Sequence, residues 1–280
     1  AGASAFSDDG RPVENARIML QALKEAAALD TPVLSHAEDL NIVNGGIMNE
    51  SEISRRLGVK GIDRASEDAS TAREMALAAA SNCGIHICHV STRGSLAIIR
   101  DAKRRGVKIT CETAPHYFTL TDDALLSRDA DYRMNPPLRE REDVEAVIRG
   151  ISDGTIDALA TDHAPHTPQE KADFERAPNG IIGLETLLPI SYTNLVRAGH
   201  IDIFRMFEML TYNPAAILRT AANRFNQGDR ADFVLFDPHE QFKVDVNKLH
   251  GKSKNTAFKN MSFYGVVKMT ICGGNIIYRA

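Results

Sequence analysis

Residues 156–166, with the sequence IDALATDHAPH, join an apolar β-strand directly to a carboxylate and two imidazoles. A buried strand usually ends in turn residues, whereas this one runs into Asp162 and His163, and Pro165 separates them from His166. Two interpretations are open at this point. The stretch is either a polar loop that happens to be rich in histidine, or a strand that directs metal ligands and proton carriers toward a site.

Strand and helix signals alternate on either side of this stretch. Strands are predicted in SAFSDD (4–9), TPVLSHAED (31–39), GIHICHVST (84–92), VKITCETAPHYF (107–118) and TIDALATD (155–162). Helices are predicted in PVENARIMLQALKEAAALD (12–30), where Pro12 lies near the start, and in SEDASTAREMALAAASNC (66–83), RGSLAIIRDAKRRG (93–106) and REDVEAVIRGISDG (141–154). Strands that alternate with helices of about a dozen residues indicate an α/β fold with parallel strands joined by crossovers.

The character of the chain changes toward its end. Beyond residue 183 it is mainly helical, and from about residue 228 the segments DRADFVLFDP (229–238) and VVKMTICGGNIIY (266–278) read as short strands with glycine turns and no crossover helices. We therefore predict an α/β domain over 1–227 and a small β-domain segment over 228–280.

Polar residues fall at the carboxyl ends of four predicted parallel strands. They are Asp9, His36, His89 and Asp162. In a closed α/β barrel these strand ends converge on one face, where active sites are built, and histidine with carboxylate is a ligand set for zinc or a similar divalent ion. Each placement alone has a structural explanation, since DDG is also an ordinary turn. Four coincident placements favour a metal site.

Composition narrows the class of function. The net charge of −4 disfavours nucleic acid or an anionic membrane as a partner, and 43% hydrophobic residues suffice for a core. No apolar run reaches the roughly 18 residues that span a bilayer. The four cysteines form no CxxC pair, which favours packed, reduced thiols and a cytoplasmic protein. His86 and His116 are interpreted as structural.

Six motifs taken together resemble a known family. SDDG, SHAED, CHVST, MNPPLR, ATDHAPH and APNGIIGLET, in this order and spacing, are similar to those of bacterial class I dihydroorotases of the amidohydrolase superfamily. The resemblance runs along the whole chain. It implies a metal-dependent hydrolase with a (β/α)8 TIM-type barrel and a small β appendage. It also implies zinc-dependent, reversible hydrolysis of the cyclic amide of dihydroorotate to N-carbamoyl-aspartate, in pyrimidine biosynthesis.

The resemblance also implies residue roles at the metal centre. Asp9 stands where related cyclic amidases have a carboxylated lysine, and would bridge two zinc ions. His36 and His89 would complete the more exposed of the two metal sites. Asp162 would bind the second metal and act catalytically, taking a proton from the nucleophile and passing it to the leaving nitrogen.

Substrate-binding roles follow from the same resemblance. Asn135 and His166 resemble residues that contact the dihydroorotate ring and its carboxylate, and backbone groups around Pro178 and Gly180 resemble those that hold the pyrimidine edge. His163 is expected to orient its loop. The long polar loop HTPQEKADFERAPNG (166–180) is either a mobile segment over the site or a surface connection.

One part of the family pattern is missing. Family members have an HxH pair on the first barrel strand, followed by an arginine that binds the substrate carboxylate, whereas this sequence contains no HxH and begins without methionine. The matches begin at the family's fourth strand. We therefore expect that only the later strands of the barrel are present, that at most one zinc binds, and that this piece alone is inactive.

A second hypothesis belongs to a different class of function. Dihydroorotase-like proteins that do not catalyse serve as structural partners of aspartate carbamoyltransferase, and they lack the metal ligands. Four candidate ligands remain here, which favours the enzyme. For the complete enzyme we expect a small-molecule substrate, a homo-oligomer, and aspartate carbamoyltransferase as a potential partner.

Overall fold

The computed structural model describes residues 2–222 and 225–280. Its strands are β1 (Phe6–Ser7), β2 (Val33–Ser35), β3 (Met48–Asn49), β4 (Gly61–Ile62), β5 (Ile85–Ile87), β6 (Ile109–Thr113), β7 (Ala158–Leu159), β8 (Phe233–Lys243), β9 (Ser262–Cys272) and β10 (Asn275–Arg279). Its α-helices are α1 (Ala16–Ala28), α2 (Leu40–Val43), α3 (Glu52–Leu57), α4 (Ala65–Ser81), α5 (Arg93–Arg104), α6 (Arg141–Ser152), α7 (Leu187–Ser191), α8 (Ile203–Leu210) and α9 (Tyr212–Ile217). A π-helical turn, Tyr192–Arg197, follows α7 directly.

The main sheet has five parallel strands in the order β1-β2-β5-β6-β7. Phe6 pairs with Val33, Val33 with Ile85, and Ile85 with Ile109, so the first four strands are aligned at one level. Helices α1, α4, α5 and α6 connect these strands, which is the arrangement of consecutive β/α units in a barrel wall. The predicted α/β class and all five predicted strands are confirmed. The short parallel pair β3–β4 was not predicted.

Helix α1 begins later than its predicted start at Pro12. The side chain of Asn15 accepts hydrogen bonds from the backbone N–H groups of Arg17 and Ile18, at 3.0 and 3.2 Å. An asparagine in extended conformation that satisfies free N–H groups is a favoured N-cap. The cap, and not the proline, therefore sets the first turn.

The core lies between the parallel sheet and its covering helices. Leu23 of α1, Ile87 of β5, Ile99 of α5 and Val147 of α6 are all fully buried. Each such side chain contributes about 1.5–3 kcal/mol of transfer free energy. This packing fixes the strands, and with them the direction of the residues that follow each strand.

The C-terminal strands form a separate antiparallel sheet in the order β10-β9-β8. The strands β8 and β9 are longer than predicted, and Gly273 and Gly274 supply the left-handed turn between β9 and β10, with φ of 56° and 81°. Phe236 of β8 packs edge to face on Tyr192, with ring centroids 5.2 Å apart. The domain boundary at 227/228 stays a prediction. Within residues 2–222 and 225–280, no helix is both long and apolar enough to cross a membrane.

Candidate metal centre

Three side chains converge beyond the carboxyl ends of neighbouring strands. Asp9 follows β1, His36 directly follows β2, and His89 lies two residues after β5. One potential ligand atom from each lies within 4.8 Å of the other two. The parallel order of the sheet produces this convergence, because it places the three strand ends side by side.

The three side chains face one another through one atom each. His36 Nδ1 lies 2.8 Å from His89 Nε2 and 3.4 Å from Asp9 Oδ1, and His89 Nε2 lies 3.3 Å from the same Asp9 oxygen. Two nitrogens and one carboxylate oxygen therefore surround a common point. Separations of about 3 Å match ligands that share a divalent ion at roughly 2.0–2.2 Å each.

Asp9 and His36 each stabilise the charged form of the other. Hydrogen bonds from His36 and then His89 hold the pKa of Asp9 far below its usual range. Burial disfavours the charged form of His36, but its contacts with Asp9 and Glu38 outweigh burial and raise its pKa to about 9. Without metal, His36 is therefore protonated at neutral pH, in the place where a cation would bind.

Backbone geometry distinguishes two of the strand-end residues. His89 and Asp162 have left-handed φ values of 37° and 49°, a region that residues other than glycine occupy rarely. Residues held in such strained conformations cluster at functional sites. The surrounding structure must impose the strain. Asp8 has a different task from Asp9, since its carboxylate accepts from the backbone N–H groups of His36 and Val13 at 2.9 Å each.

Asp162 lies outside the three-residue group but beside it. Burial is the main cause that raises the pKa of Asp162, and the negative charge of Asp9 adds to it, while His89 and His36 oppose the shift. Its carboxylate is 3.9 Å from Nε2 of His116. A carboxyl whose pKa is raised binds and releases a proton closer to neutral pH.

His116 is nearer to this site than its structural interpretation suggested. The side chain is only 1% exposed, and its Nε2 has no hydrogen-bond partner among the described residues. Burial, with a contribution from His89, lowers the pKa of His116 to about 3, so its ring is neutral. His86 is different, because its Nδ1 contacts Thr110 at 2.8 Å and its Nε2 contacts Glu112 at 3.3 Å.

Asn135 lies next to the metal-site residues. Its amide nitrogen lies 3.4 Å from Nε2 of His36, and a cis peptide bond links it to Pro136. Its side-chain oxygen is buried and has no partner within the described residues. A buried amide oxygen without a partner is costly, so this acceptor is available to a donor that the protein itself does not provide.

The predicted substrate loop is pinned to the protein. His166 Nε2 is 2.9 Å from the carbonyl oxygen of Asn179, and the N–H of Gly180 donates to the carbonyl of Arg133 at 2.9 Å. The carbonyl of Pro178 accepts from Lys171 at 2.9 Å. The backbone groups expected to hold a pyrimidine edge are thus already paired, and the side-chain oxygen of Asn179 has no partner in the described chain.

The conformation at Gly180 requires glycine. Its φ is +144°, and a Cβ there would lie 2.6 Å from the Cβ of Ala164 and 2.9 Å from Nε2 of His166. Buried Lys171 anchors the same loop by donating to three carbonyl groups, those of Ala130, Arg133 and Pro178. These contacts therefore fix the segment 166–180 near its end. Whether the segment covers the site or is a surface connection stays open.

The sequence interpretation missed Glu38. This largely buried carboxylate lies 3.1 Å from Nε2 of His36, on the side of the ring away from Asp9 and His89. A carboxylate that accepts from the outer nitrogen of a metal-binding histidine fixes the tautomer and the ring orientation. The signal was present in SHAED, since Glu38 follows His36 by two residues.

Replacing Glu38 with glutamine is expected to weaken Co²⁺ binding by about 10-fold or more, the usual cost of losing such a partner. The measurement is a Co²⁺ titration followed by visible absorption at pH 8.5, where the proton competes for His36 less than at neutral pH. Glu185→Gln is the matched control, because Glu185 also pairs with a histidine, His250 at 2.9 Å, which is not part of this group. Equal losses in both variants would contradict the assignment.

The chain matches a known family along almost its whole length. Residues 2–277 match the model of the amidohydrolase family. The chain is 50% identical over 280 residues to a dihydroorotase of Pelobacter propionicus and 47% identical over 280 residues to one of Acetivibrio thermocellus. In both comparisons the match covers 100% of this chain and 66% of the relative, so the chain spans just under two thirds of their length.

Solved structures show the same fold. Dihydropyrimidinase from Brevibacillus agri superposes with a TM-score of 0.84 at 24% identity, over 98% of this chain and 63% of that one. A D-hydantoinase superposes with a TM-score of 0.83 at 26% identity, over 99% of this chain and 64% of that one. These likenesses concern the architecture of the parallel sheet and its covering helices.

Proposed function

Because the chain belongs to the amidohydrolase family, we propose that its strand-end site is that of a dihydroorotase, which hydrolyses the cyclic amide of dihydroorotate reversibly to N-carbamoyl-aspartate. The observation that carries the proposal is the convergence of Asp9, His36 and His89. It is supported by 47–50% identity to dihydroorotases over the whole chain. Substrate and reaction come from those relatives and from the motif resemblance.

The residues fit the zinc that the proposal requires. Asp9, His36 and His89 supply oxygen and nitrogen ligands of the type that zinc prefers, and Glu38 holds the outer nitrogen of His36. A bound divalent cation would supply an activated water and polarise the amide carbonyl. Asp162 is proposed as the ligand of a second zinc, which the HxH pair of the family would complete.

Asp162 is proposed as the catalytic proton carrier. Asp162 follows β7 at the same end of the sheet as His36 and His89, and its raised pKa suits it to take a proton during attack and give it to the departing nitrogen. Hydrolysis of an amide needs this transfer because an unprotonated nitrogen is a poor leaving group. The strand in residues 156–166 then delivers the acid and base of the reaction.

The substrate side is proposed to use Asn135 and the loop of His166, Pro178 and Gly180. The free oxygen of Asn135 can accept from a ring N–H. His166 and the backbone at Pro178 and Gly180 are proposed to shape the pocket for the ring and its carboxylate. Their present hydrogen bonds lie within the protein, so the unpartnered oxygen of Asn179 is the more direct contact.

The length of the match limits what this chain does alone. It spans 66% of the relatives, and its sequence contains no HxH pair. We propose that the 280-residue chain holds at most one zinc and does not turn over dihydroorotate. Cytoplasmic location, self-association and contact with aspartate carbamoyltransferase stay predictions.

The test is an assay of the gene product that contains this sequence at the length of its relatives. We expect interconversion of dihydroorotate and N-carbamoyl-aspartate with about two zinc ions per chain, and no turnover by residues 1–280 alone. Hydrolysis of hydantoin or dihydrouracil without dihydroorotate would move the protein to another cyclic amidase class. Absence of bound metal would favour a non-catalytic partner of aspartate carbamoyltransferase.

A further inference from the structure

A buried ion pair contacts the segment that follows His89. The carboxylate of Glu67 and the guanidinium of Arg139 are 3.3 Å apart, and each residue is only 3% exposed. Burial of two charges costs several kcal/mol per ion before their attraction is counted. Apolar residues of similar size often give equal stability at such buried positions. A contribution to stability therefore does not by itself explain why this ion pair is present.

The Glu67 side of the pair holds the segment that follows His89. Glu67 lies in the first turn of α4, and one of its oxygens accepts from the backbone N–H groups of Ser91 and Thr92 at 2.9 and 3.1 Å. The hydroxyl of Ser91 donates to the other oxygen. These bonds begin two residues after His89, whose φ of 37° must be imposed by its surroundings.

The Arg139 side holds the segment that contains Asn135. From the end of MNPPLR, Arg139 donates through Nε to the hydroxyl of Ser91 at 3.0 Å and through Nη1 to the side chain of Asn49 at 3.0 Å. Its Nη2 contacts Glu67. One rigid guanidinium therefore fastens three chain segments, and a lysine cannot reproduce this fork of donors.

We propose that the Glu67–Arg139 pair is a positioning device that sets His89 and Asn135 in register, so that one buried contact aligns the metal ligand with the substrate-facing amide. The two segments meet at Ser91, which bonds to both members of the pair. Neither Glu67 nor Arg139 belongs to the group of Asp9, His36 and His89. The inference rests on the proposed function, since it assigns a purpose to the alignment of that site.

The test uses residues 1–280 and Co²⁺ alone as the probe. Arg139→Met keeps the unbranched stem of the side chain, removes the guanidinium, and is expected to weaken Co²⁺ binding about tenfold, as for other residues that orient a ligand. Hydrogen exchange of residues 88–95 should become faster, with no metal present. Lys103→Met is the control, because it breaks the Lys103–Asp157 pair of 2.6 Å at the opposite end of β7.

A second variant separates positioning from stability. Arg139→Lys keeps the charge beside Glu67 but not the fork of donors, so its unfolding midpoint should fall less than that of Arg139→Met while Co²⁺ affinity remains at least about fivefold low. Affinity within twofold of the unmodified chain in both variants, with unchanged exchange of residues 88–95, would overturn the inference. An unmodified chain that binds no Co²⁺ would overturn the proposed metal centre instead, and the exchange rates would still decide the role of the pair.

Discussion

Replacing Asp162 with asparagine is expected to lower kcat for dihydroorotate by about 10²–10⁴-fold, the range that general acid–base catalysis contributes. The variant is made in a protein that contains this sequence and has the full length of the dihydroorotases it matches. Asparagine keeps the shape of the side chain but cannot carry a proton, so KM should change little. Steady-state kinetics in both directions of the reaction give kcat and KM separately.

Asp157→Asn is the control for that experiment. Asp157 lies on the same stretch but at the opposite end of β7, where it binds Lys103 and the backbone N–H of Cys111. Its loss should reduce stability and leave kcat near that of the unmodified enzyme. An Asp162→Asn enzyme that keeps more than a few per cent of kcat would remove Asp162 from the mechanism.

The parallel sheet could be predicted from the sequence because its signals are local. Four of the five strands lie in short apolar segments followed by polar residues, and helices with clear periodicity separate most of the strands. The pair β3–β4 escaped because neither Met48–Asn49 nor Gly61–Ile62 lies in an apolar run that marks a strand. The equally short β7 lies in a mostly apolar segment, residues 156–160. Helix α1 starts after the predicted position because the cap at Asn15, and not Pro12, sets its first turn.

The positions at the strand ends could also be predicted, since topology alone brings Asp9, His36 and His89 together. The residues that support them could not. Glu67 lies on the buried face of α4 with Thr71 and Met75, although a charged residue is usually exposed, and its buried partner Arg139 lies on a distant segment. Contacts between residues 72 positions apart leave no periodic signal in one sequence.

The metal group itself supports the second large prediction. Asp9→Asn is expected to weaken Co²⁺ binding to residues 1–280 by at least about 100-fold, because a direct ligand contributes more than an outer partner, whose loss costs about 10–100-fold. The charge matters as well as the oxygen, since the Asp9 carboxylate is the anion of the group that faces both histidines. Co²⁺ titration at pH 8.5 measures the change. Asp8→Asn is a poor control, because Asp8 holds the backbone of His36, so Asp30→Asn on the surface is used.

The pH dependence of the unmodified chain checks the same group independently. His36 has a pKa of about 9 without metal, so Co²⁺ must displace its proton, and apparent affinity should rise roughly fiftyfold or more between pH 6.5 and 8.5. The free energy of unfolding of the metal-free chain should change in the opposite direction and fall as the pH rises. The raised pKa of His36 stabilises the fold fully below its ordinary value of 6.5, and this contribution is lost as the pH rises toward 9. An affinity that is flat over this range would show that Co²⁺ binds elsewhere, away from His36.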